Sequence, residues 1–231
     1  MLKNYFKTAF RNLQRNKVYS LINILGLSLG LACAMLIILY VKDEVSYDRF
    51  HRQIDRLYCI GTERFEKDGM MQGKNAITGY FQGPRFTASI PEIKSFVRIE
   101  SDQRDIRQGT EIKSQAMLQV DSNFFSVFTF PLLAGNPQTA LRNPHSVVIS
   151  EDMALRQFGT RDALGKILQI KGDSDQFVPY AVTGIAKECP QNSSIRFEVL
   201  LPIQVSARDE ANNENWFNFF LNTFVVLNPG A

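Results

Sequence analysis

The spacing of hydrophobic and charged residues divides the start of the chain into three helical segments. Residues 1–18 place apolar side chains on one helical face and lysine or arginine on the other, a pattern typical of an interfacial helix on a membrane surface. Residues 19–41 are almost entirely apolar. Residues 42–57 keep an apolar stripe beside charged positions, which predicts that the helix continues as a stalk. The stripe of this predicted stalk consists of Tyr47, Phe50, Ile54 and Leu57.

Beyond the predicted stalk, short strand patterns alternate with short helical patterns. Two strand-like runs flank Asp68-Gly69, a hairpin signal. One helix is expected to end before Pro91, and another to lie between a capping Ser150 and a terminating Gly159. This irregular mixture predicts a single α+β domain over residues 58–231. The predicted helices cover residues 81–90, 151–158 and a stretch ending near 211, and the later strands cover 94–100, 111–120, 146–150, 166–171, 180–187, 195–201 and 221–227, with a polar connection at 101–109.

The apolar run from Leu21 to Val41 has the length of a membrane span. As a helix it measures about 31 Å, close to a hydrocarbon thickness of about 30 Å. A cleavable signal has a shorter apolar core followed by small residues, whereas this run ends in "YVKDE". A lipoprotein signal ending at Cys33 is disfavoured because eight apolar residues follow that cysteine. We therefore predict a retained transmembrane helix.

Charge is distributed unevenly around this span. Five lysines and arginines precede it, and no acidic residue occurs before Asp43. The positive-inside rule therefore predicts a cytoplasmic N-terminus and places the residues after about 42 on the other side. A basic flank that only sets this orientation is the alternative to an interfacial helix. The chain's net charge of +3 leaves about −2 for residues 42–231, and a mildly acidic domain argues against nucleic-acid binding.

One face of the predicted span is lined by small or polar residues. Small residues let helices approach closely in lipid, and a buried asparagine can hydrogen-bond across such a contact. We therefore predict that this stripe packs against another transmembrane helix, while a chance spacing of glycines is the alternative. The stripe, termed the small-residue stripe, contains Asn23, Gly26, Gly30 and Ala34, with Cys33 beside them.

The sequence shows no recognisable catalytic, cofactor-binding or metal site. Of its two histidines, His51 lies on the predicted stalk, so only His145 is a candidate general base. Two separated histidines without a Cys-x-x-Cys pair do not form a typical zinc site. The segment from Gly159 to Gly165 is one residue too long for a phosphate-binding loop. We therefore predict that this chain is not an enzyme and holds no cofactor.

Two cysteines fall in the predicted extracytoplasmic domain. Cys59 and Cys189 would lie in a compartment where disulfides persist. Their positions along the chain do not determine whether they approach each other. A disulfide and two ordinary buried thiols therefore remain as alternatives.

Six ordered segments resemble the N-terminal part of FtsX-like permeases that carry a MacB-like periplasmic core domain, in the variety common in Bacteroidetes-type bacteria. The resemblance covers essentially the whole chain. Cys59 and Cys189 stand where the family pattern would not place cysteine. The segments are residues 10–51, "DSNFFSVFTFPLLAGNP" (121–137), "SVVISEDMALRQFG" (146–159), "ALGKILQI" (163–170), "VTGIAKECPQNSSIRFEVLLP" (182–202) and "NTFVVLNPGA" (222–231).

This resemblance implies a permease subunit of an ABC transporter, of the export or mechanotransmission type, in the bacterial inner membrane. Such permeases couple ATP hydrolysis in the cytoplasm to movement of a periplasmic domain. The partners implied are a cytoplasmic ABC ATPase, a second permease copy, membrane lipid, and a periplasmic adaptor or cell-wall hydrolase. The substrate stays open among peptides, macrolides and lipoproteins. The resemblance also implies further spans after Ala231 and a periplasmic core that is incomplete at its C-terminal end.

An extracytoplasmic sensor or binding domain on a single span is the main alternative function. Such a protein would need a cytoplasmic signalling domain, whereas only the short basic segment precedes the span. A membrane-anchored hydrolase is a third alternative, disfavoured because the chain contains only two histidines.

Overall fold

A computed structural model of the chain describes residues 2–172, 174–211 and 218–231. The described residues form two compact units that divide between Tyr47 and Asp48. The first unit is helical, and the described strands all belong to the second unit.

The first unit contains helices α1 (Leu2–Arg15) and α2 (Lys17–Glu44). The aromatic side chains of Tyr5, Phe6 and Phe10 on α1 are exposed, as expected for a face that needs a lipid or protein partner. Among the described helices, only α2 is long and apolar enough to cross a membrane. Its 28 residues correspond to about 42 Å, so its polar ends extend beyond a hydrocarbon layer of about 30 Å.

The prediction that α2 continues as a helical stalk to residue 57 is wrong. The helix ends at Glu44, and Asp48 adopts a left-handed backbone conformation with a φ of 58°. A single 3-10 turn at Ile54–Arg56 then leads directly into strand β1 (Leu57–Cys59). The helical spacing of apolar residues in this segment instead reflects side chains that pack into the second unit, and these tertiary contacts override the local pattern.

The second unit is built on a nine-stranded sheet and a separate two-stranded hairpin. The hairpin pairs β2 (Thr62–Phe65) with β3 (Met71–Asn75) around the predicted turn, where Gly69 has a φ of 82°. With β1, the sheet contains β4 (Ile93–Gln108), β5 (Glu111–Val120), β6 (Leu132–Gly135), β7 (Ser146–Ser150), β8 (Ile167–Lys171), β9 (Phe177–Ala186), β10 (Val199–Pro202) and β11 (Asn222–Leu227). The described helices of this unit are α3 (Gln82–Ser89), α4 (Phe124–Val127), α5 (Glu151–Phe158) and α6 (Ala207–Ala211).

Six of the nine strands close into a ring. β4 pairs with β5, β5 with β10, and the neighbours continue through β7, β9 and β8. β8 completes the ring by pairing with β4 through Ile106 and Arg107. The other three strands extend the sheet outside the ring, with β11 and β1 beside the first half of β4, and β6 beside the end of β9. The ring is therefore a small barrel, and the sheet extends beyond it at β4 and at β9.

The strands separate two hydrophobic clusters. One cluster takes side chains from all six strands of the ring, including Val147 and Ile149 of β7, so it fills the ring's interior and is termed the ring core. Val148 points the opposite way into a second cluster rich in phenylalanine, termed the aromatic core. This alternation follows from the two-residue period of a strand. Both faces of β7 are consequently buried.

The predicted α+β class is confirmed, with one strand longer than expected. β4 runs through the segment predicted as a polar connection at 101–109 and pairs continuously with β5 as far as Gln108. Polar side chains in this part of β4 find partners on the neighbouring strand. For example, the Asp102 carboxylate accepts a hydrogen bond from the Gln119 side chain of β5 at 2.8 Å. The local signals for α5 are confirmed, since Ser150 accepts a hydrogen bond from Met153 N–H and Gly159 ends the helix with a φ of 67°.

Candidate functional site

The first ten residues of the second unit, 48–57, are termed the anchor segment. The backbone N–H of Asp48 donates to the carbonyl of Asn192 at 2.9 Å. The Asp48 carboxylate accepts hydrogen bonds from the backbone N–H of Ser194 at 2.9 Å and from its hydroxyl at 2.5 Å. A left-handed conformation costs a non-glycine residue about 1–2 kcal/mol, and these bonds offset that cost. They hold the chain where the second unit begins.

His51 lies at the centre of the anchor segment and is only 2% exposed. Its Nδ1 accepts a hydrogen bond from the backbone N–H of Thr129 at 3.0 Å, so the ring carries its proton on Nε2. Nε2 is buried without a hydrogen-bond partner among the described residues. The rings of Phe50, Phe128 and Phe130 surround the imidazole at centroid distances of 4.1–5.2 Å. His51 is therefore a neutral histidine enclosed by aromatic rings.

Burial lowers the pKa of His51, and the negative charge of Asp48 opposes part of this effect. Because the same histidine titrates near 6.5 when unfolded, the unfolded state binds more protons than the folded state as the pH falls. We expect the free energy of unfolding to decrease by up to about 1.4 kcal/mol from pH 7.5 to pH 5.5. Chemical denaturation of the full chain in detergent would measure this change.

Two variants test whether His51 causes this acid sensitivity. His51→Gln should lose most of the pH dependence, because glutamine does not titrate. His145→Gln removes the exposed histidine and should behave like the unchanged protein. Equal pH dependence in His51→Gln and the unchanged protein would contradict the assignment.

Further bonds tie the anchor segment to the aromatic core. The backbone N–H of Arg52 donates to the hydroxyl of Thr129 at 2.9 Å, and the Gln53 side chain donates to the carbonyl of Ser126 at 2.9 Å. Phe50 and Leu57 pack against the aromatic core. β1 then joins the sheet by pairing with β11. The anchor segment is thus bound through backbone, side-chain and apolar contacts.

The aromatic core that receives the anchor segment comes largely from one stretch of sequence. Phe124 is fully buried and contacts Phe128, Phe130 and Phe197 at centroid distances of 5.0, 5.7 and 5.8 Å. Such ring pairs contribute about 0.5–1.5 kcal/mol each beyond the area they bury. Phe224 of β11 joins the same cluster through Phe128. The anchor segment therefore contacts a rigid, densely packed part of the second unit.

The residues predicted for the stalk do not share one helix. Tyr47 belongs to the first unit and is 42% exposed, whereas Phe50 and Leu57 contact the aromatic core. Ile54 lies in the 3-10 turn and is half-buried. The pattern missed His51, because a histidine within the charged stretch 48–52 resembles a solvated stalk position. No glycine or proline marks the end of α2 in the sequence.

The small-residue stripe lies on α2 with its side chains exposed. A Cβ atom added at Gly26 or Gly30 would meet nothing within 4 Å. Packing of this stripe against another helix stays a prediction.

The remaining candidate residues are separated in the fold. Cys59 on β1 and Cys189 are both free thiols, and burial raises the pKa of Cys189. In the structure the two cysteines are unpaired thiols. Cys59 is exposed, however, whereas the thiol alternative expected both cysteines to be buried. His145 is exposed beside Tyr180, with ring centroids 5.6 Å apart.

Residues 20–231 match the family model of the MacB-like periplasmic core domain. The chain belongs to this family. Since the match covers more than half of the chain, the resemblance inferred from the six segments is confirmed. None of the curated proteins matches the chain.

Several solved structures are similar to this MacB-like domain. A domain of a protein assigned as a permease from Porphyromonas gingivalis shares 26% identity at a TM-score of 0.65, with 78% of this chain and 76% of that chain covered. The periplasmic region of MacB from Actinobacillus actinomycetemcomitans shares 15% identity at a TM-score of 0.44, with 64% of each chain covered. The extracellular domain of the ABC-type transporter YknZ from Gram-positive bacteria shares 18% identity at a TM-score of 0.46, covering 66% of this chain and 75% of that chain.

Proposed function

We propose that this MacB-like chain is part of an ABC transporter permease in the bacterial inner membrane. In this proposal the N-terminus is cytoplasmic, α2 spans the membrane, and the residues after about 42 are periplasmic. The family match and the similarity to the Porphyromonas gingivalis permease domain support this assignment. The proposed role is to couple ATP hydrolysis by a cytoplasmic partner ATPase to movement of the periplasmic domain.

The anchor segment is the observation that carries this role. Only three residues separate the end of α2 at Glu44 from Asp48, which is bonded to Asn192 and Ser194. A displacement of the chain at Asp48 therefore acts directly on the second unit. Because close-packed cores deform little, the aromatic core would pass this displacement to β11 and, through it, to β4. Motion would be transmitted through an anchored connection instead of a long helical stalk.

Two of the proposed partners, membrane lipid and a second permease copy, follow from exposed surfaces of α2. The small-residue stripe and the exposed apolar side chains of α2 suit contacts with membrane lipid and with a second permease copy. The cytoplasmic ABC ATPase and a periplasmic adaptor or cell-wall hydrolase are partners proposed from the family alone. No enzyme activity is assigned to this chain in the proposal.

A double substitution in the small-residue stripe tests the proposal. Gly26→Leu with Gly30→Leu should not disturb α2 itself, because space is open at both positions and leucine favours helices more than glycine. We expect it to weaken dimerisation in liposomes by about tenfold and to reduce the ATPase activity of the assembled transporter. Energy transfer between labelled copies and ATP hydrolysis would measure these effects.

A matched control uses the opposite face of the same helix. Ser28→Leu with Ala32→Leu repeats the four-residue spacing about 200° around α2 and should leave both measurements unchanged. Normal dimerisation and ATP hydrolysis in the glycine variant would contradict the packing prediction. If no ATPase associates with the unchanged protein in the bacterial membrane, the proposed function itself is wrong.

A further inference from the structure

Helix α1 has two faces of different chemistry. Basic residues recur at every fourth position, so they follow one face of the helix, and apolar residues occupy the opposite face. The aromatic rings of the apolar face are 63–76% exposed, so the described chain does not cover them. In the sequence the basic residues are Lys3, Lys7, Arg11 and Arg15, and the exposed apolar side chains are Tyr5, Phe6, Phe10 and Leu13.

The positive charge of α1 is not compensated within the first unit. No acidic residue occurs before Asp43, which lies near the far end of α2. From Lys17 to Asp43 the helix rises about 39 Å, several times the Debye length of about 8 Å at physiological ionic strength. The basic face of α1 is therefore available to anions from outside the chain.

The connection between α1 and α2 is short and hydrogen-bonded. Asn16 alone separates the two helices. Its backbone N–H donates to the carbonyl of Asn12 at 3.1 Å, and its carbonyl accepts from the N–H of Ser20 at 2.9 Å. From Arg15 to Leu21, where the apolar run begins, the helical rise is roughly 9 Å, and each head-group layer of a bilayer is about 5–8 Å thick. With α2 across the membrane, the end of α1 therefore lies at the lipid head groups.

We propose that α1 binds anionic phospholipids at the membrane surface where α2 begins. The apolar face of α1 enters the boundary between head groups and acyl chains, and its lysines and arginines extend to the lipid phosphates. Each basic residue near an anionic membrane strengthens binding about fivefold. A protein partner fits less well, because the short connection to α2 keeps α1 at the head groups. This inference rests on the proposed location of α2 in the membrane and not on coupling to an ATPase.

Hydrogen exchange of the full chain in lipid nanodiscs tests the requirement for anionic lipid. We expect the backbone N–H groups of α1 to exchange about tenfold more slowly when phosphatidylglycerol replaces about one-third of the phosphatidylcholine. Dissolved glycerol phosphate added to pure phosphatidylcholine nanodiscs should not slow this exchange, because it offers no surface to the apolar face. Equal exchange in neutral and anionic nanodiscs would overturn the proposal. Equal slowing by dissolved glycerol phosphate would show a simple phosphate site and overturn it as well.

Paired substitutions then locate the site. Lys7→Gln with Arg11→Gln removes two exposed cations from α1, while glutamine keeps a similar helix propensity. This variant should lose most of the difference in exchange between the two kinds of nanodisc. Lys67→Gln with Lys94→Gln removes the same charge from exposed positions of the second unit and should keep the full difference. Equal loss in both variants would show attraction by the net charge of the chain and refute the site on α1.

Exchange along α2 in the same samples separates this inference from the proposed function. Residues 21–41 should exchange slowly in both kinds of nanodisc if α2 crosses the membrane. Fast exchange there would overturn the membrane location of α2 and this inference with it. Slow exchange there, with α1 insensitive to lipid charge, would refute lipid binding alone. Protection of α1 only in the presence of other transporter subunits would assign its apolar face to a protein partner and also refute lipid binding.

Discussion

Replacing Asp121 with alanine is expected to lower the free energy of unfolding of the second unit by about 3–5 kcal/mol. The side chains of Arg98 and Asp121 are only 11% and 16% exposed and lie 2.6 Å apart at their closest atoms. Arg98 donates to both carboxylate oxygens through Nη2 and Nε, and its backbone N–H donates to Oδ2 at 2.7 Å. Loss of the carboxylate would leave a buried guanidinium without a counter-charge. Chemical denaturation of the full chain in detergent measures this effect.

An exposed ion pair within β5 provides the control. Lys113 and Glu111 lie 2.8 Å apart, but their side chains are 67% and 65% exposed. Exposed pairs are solvated and screened, so they contribute little to stability. Glu111→Ala should therefore leave the denaturation midpoint nearly unchanged. Similar losses in the Asp121 and Glu111 variants would show that burial of the Arg98–Asp121 pair is unimportant.

Phe124→Ala is expected to cost about 3–5 kcal/mol of stability, the range for large-to-small changes in a packed core. Phe124 is fully buried among other phenylalanines of the aromatic core. The cavity should also loosen the anchor segment, because Phe128 and Phe130 contact both Phe124 and His51. We therefore expect faster hydrogen exchange at the backbone N–H of Thr129, which donates a hydrogen bond to Nδ1 of His51.

An exposed phenylalanine separates this effect from loss of an aromatic residue in general. Phe65 on the β2–β3 hairpin is 61% exposed, and Phe65→Ala should change neither stability nor exchange at Thr129. Phe124→Ala could lower the free energy of unfolding while exchange at the Thr129 N–H rises only as much as this loss of global stability explains. In that case the anchor segment would not depend on the aromatic core. The proposed transmission route would then need a different path.

The anchor segment changes the mechanical picture that the sequence suggested. A continuous stalk helix would transmit motion along its own axis, with its apolar stripe free to contact other proteins. Phe50 and Leu57 of that stripe instead pack into the aromatic core. In the proposed role, the connection that transmits motion would therefore be short, and its strength would depend on packing around His51 and on the bonds of Asp48.

Local sequence signals predicted the elements whose causes are local. Ser150 and Gly159 delimit α5 because capping and left-handed termination involve neighbouring residues. The Asp68-Gly69 turn follows from the conformational freedom of glycine at a φ of 82°. The extension of β4 to Gln108 was missed, because its polar side chains become acceptable only when β5 supplies their partners.

The candidate site was only partly predictable for the same reason. The small-residue stripe could be identified from helical spacing, whereas the anchor segment combines Asp48 with Asn192 and Ser194, which lie more than a hundred positions further along the chain. His51 acquires its role only from Thr129 and the phenylalanines around it. A single sequence contains no signal for such long-range pairs.

The sequence by itself determined the membrane-spanning length of the apolar run, the α+β class, the turns and caps, and the family. These properties depend on composition and on residues a few positions apart. The tertiary structure alone decided where α2 ends, how the ring closes, and which side chains surround His51. Asp48 bonds to Ser194, 146 positions away, and β8 closes the ring onto β4 from a distant part of the chain. Such contacts form only when the whole domain folds, because they require burial and partners that local segments do not provide.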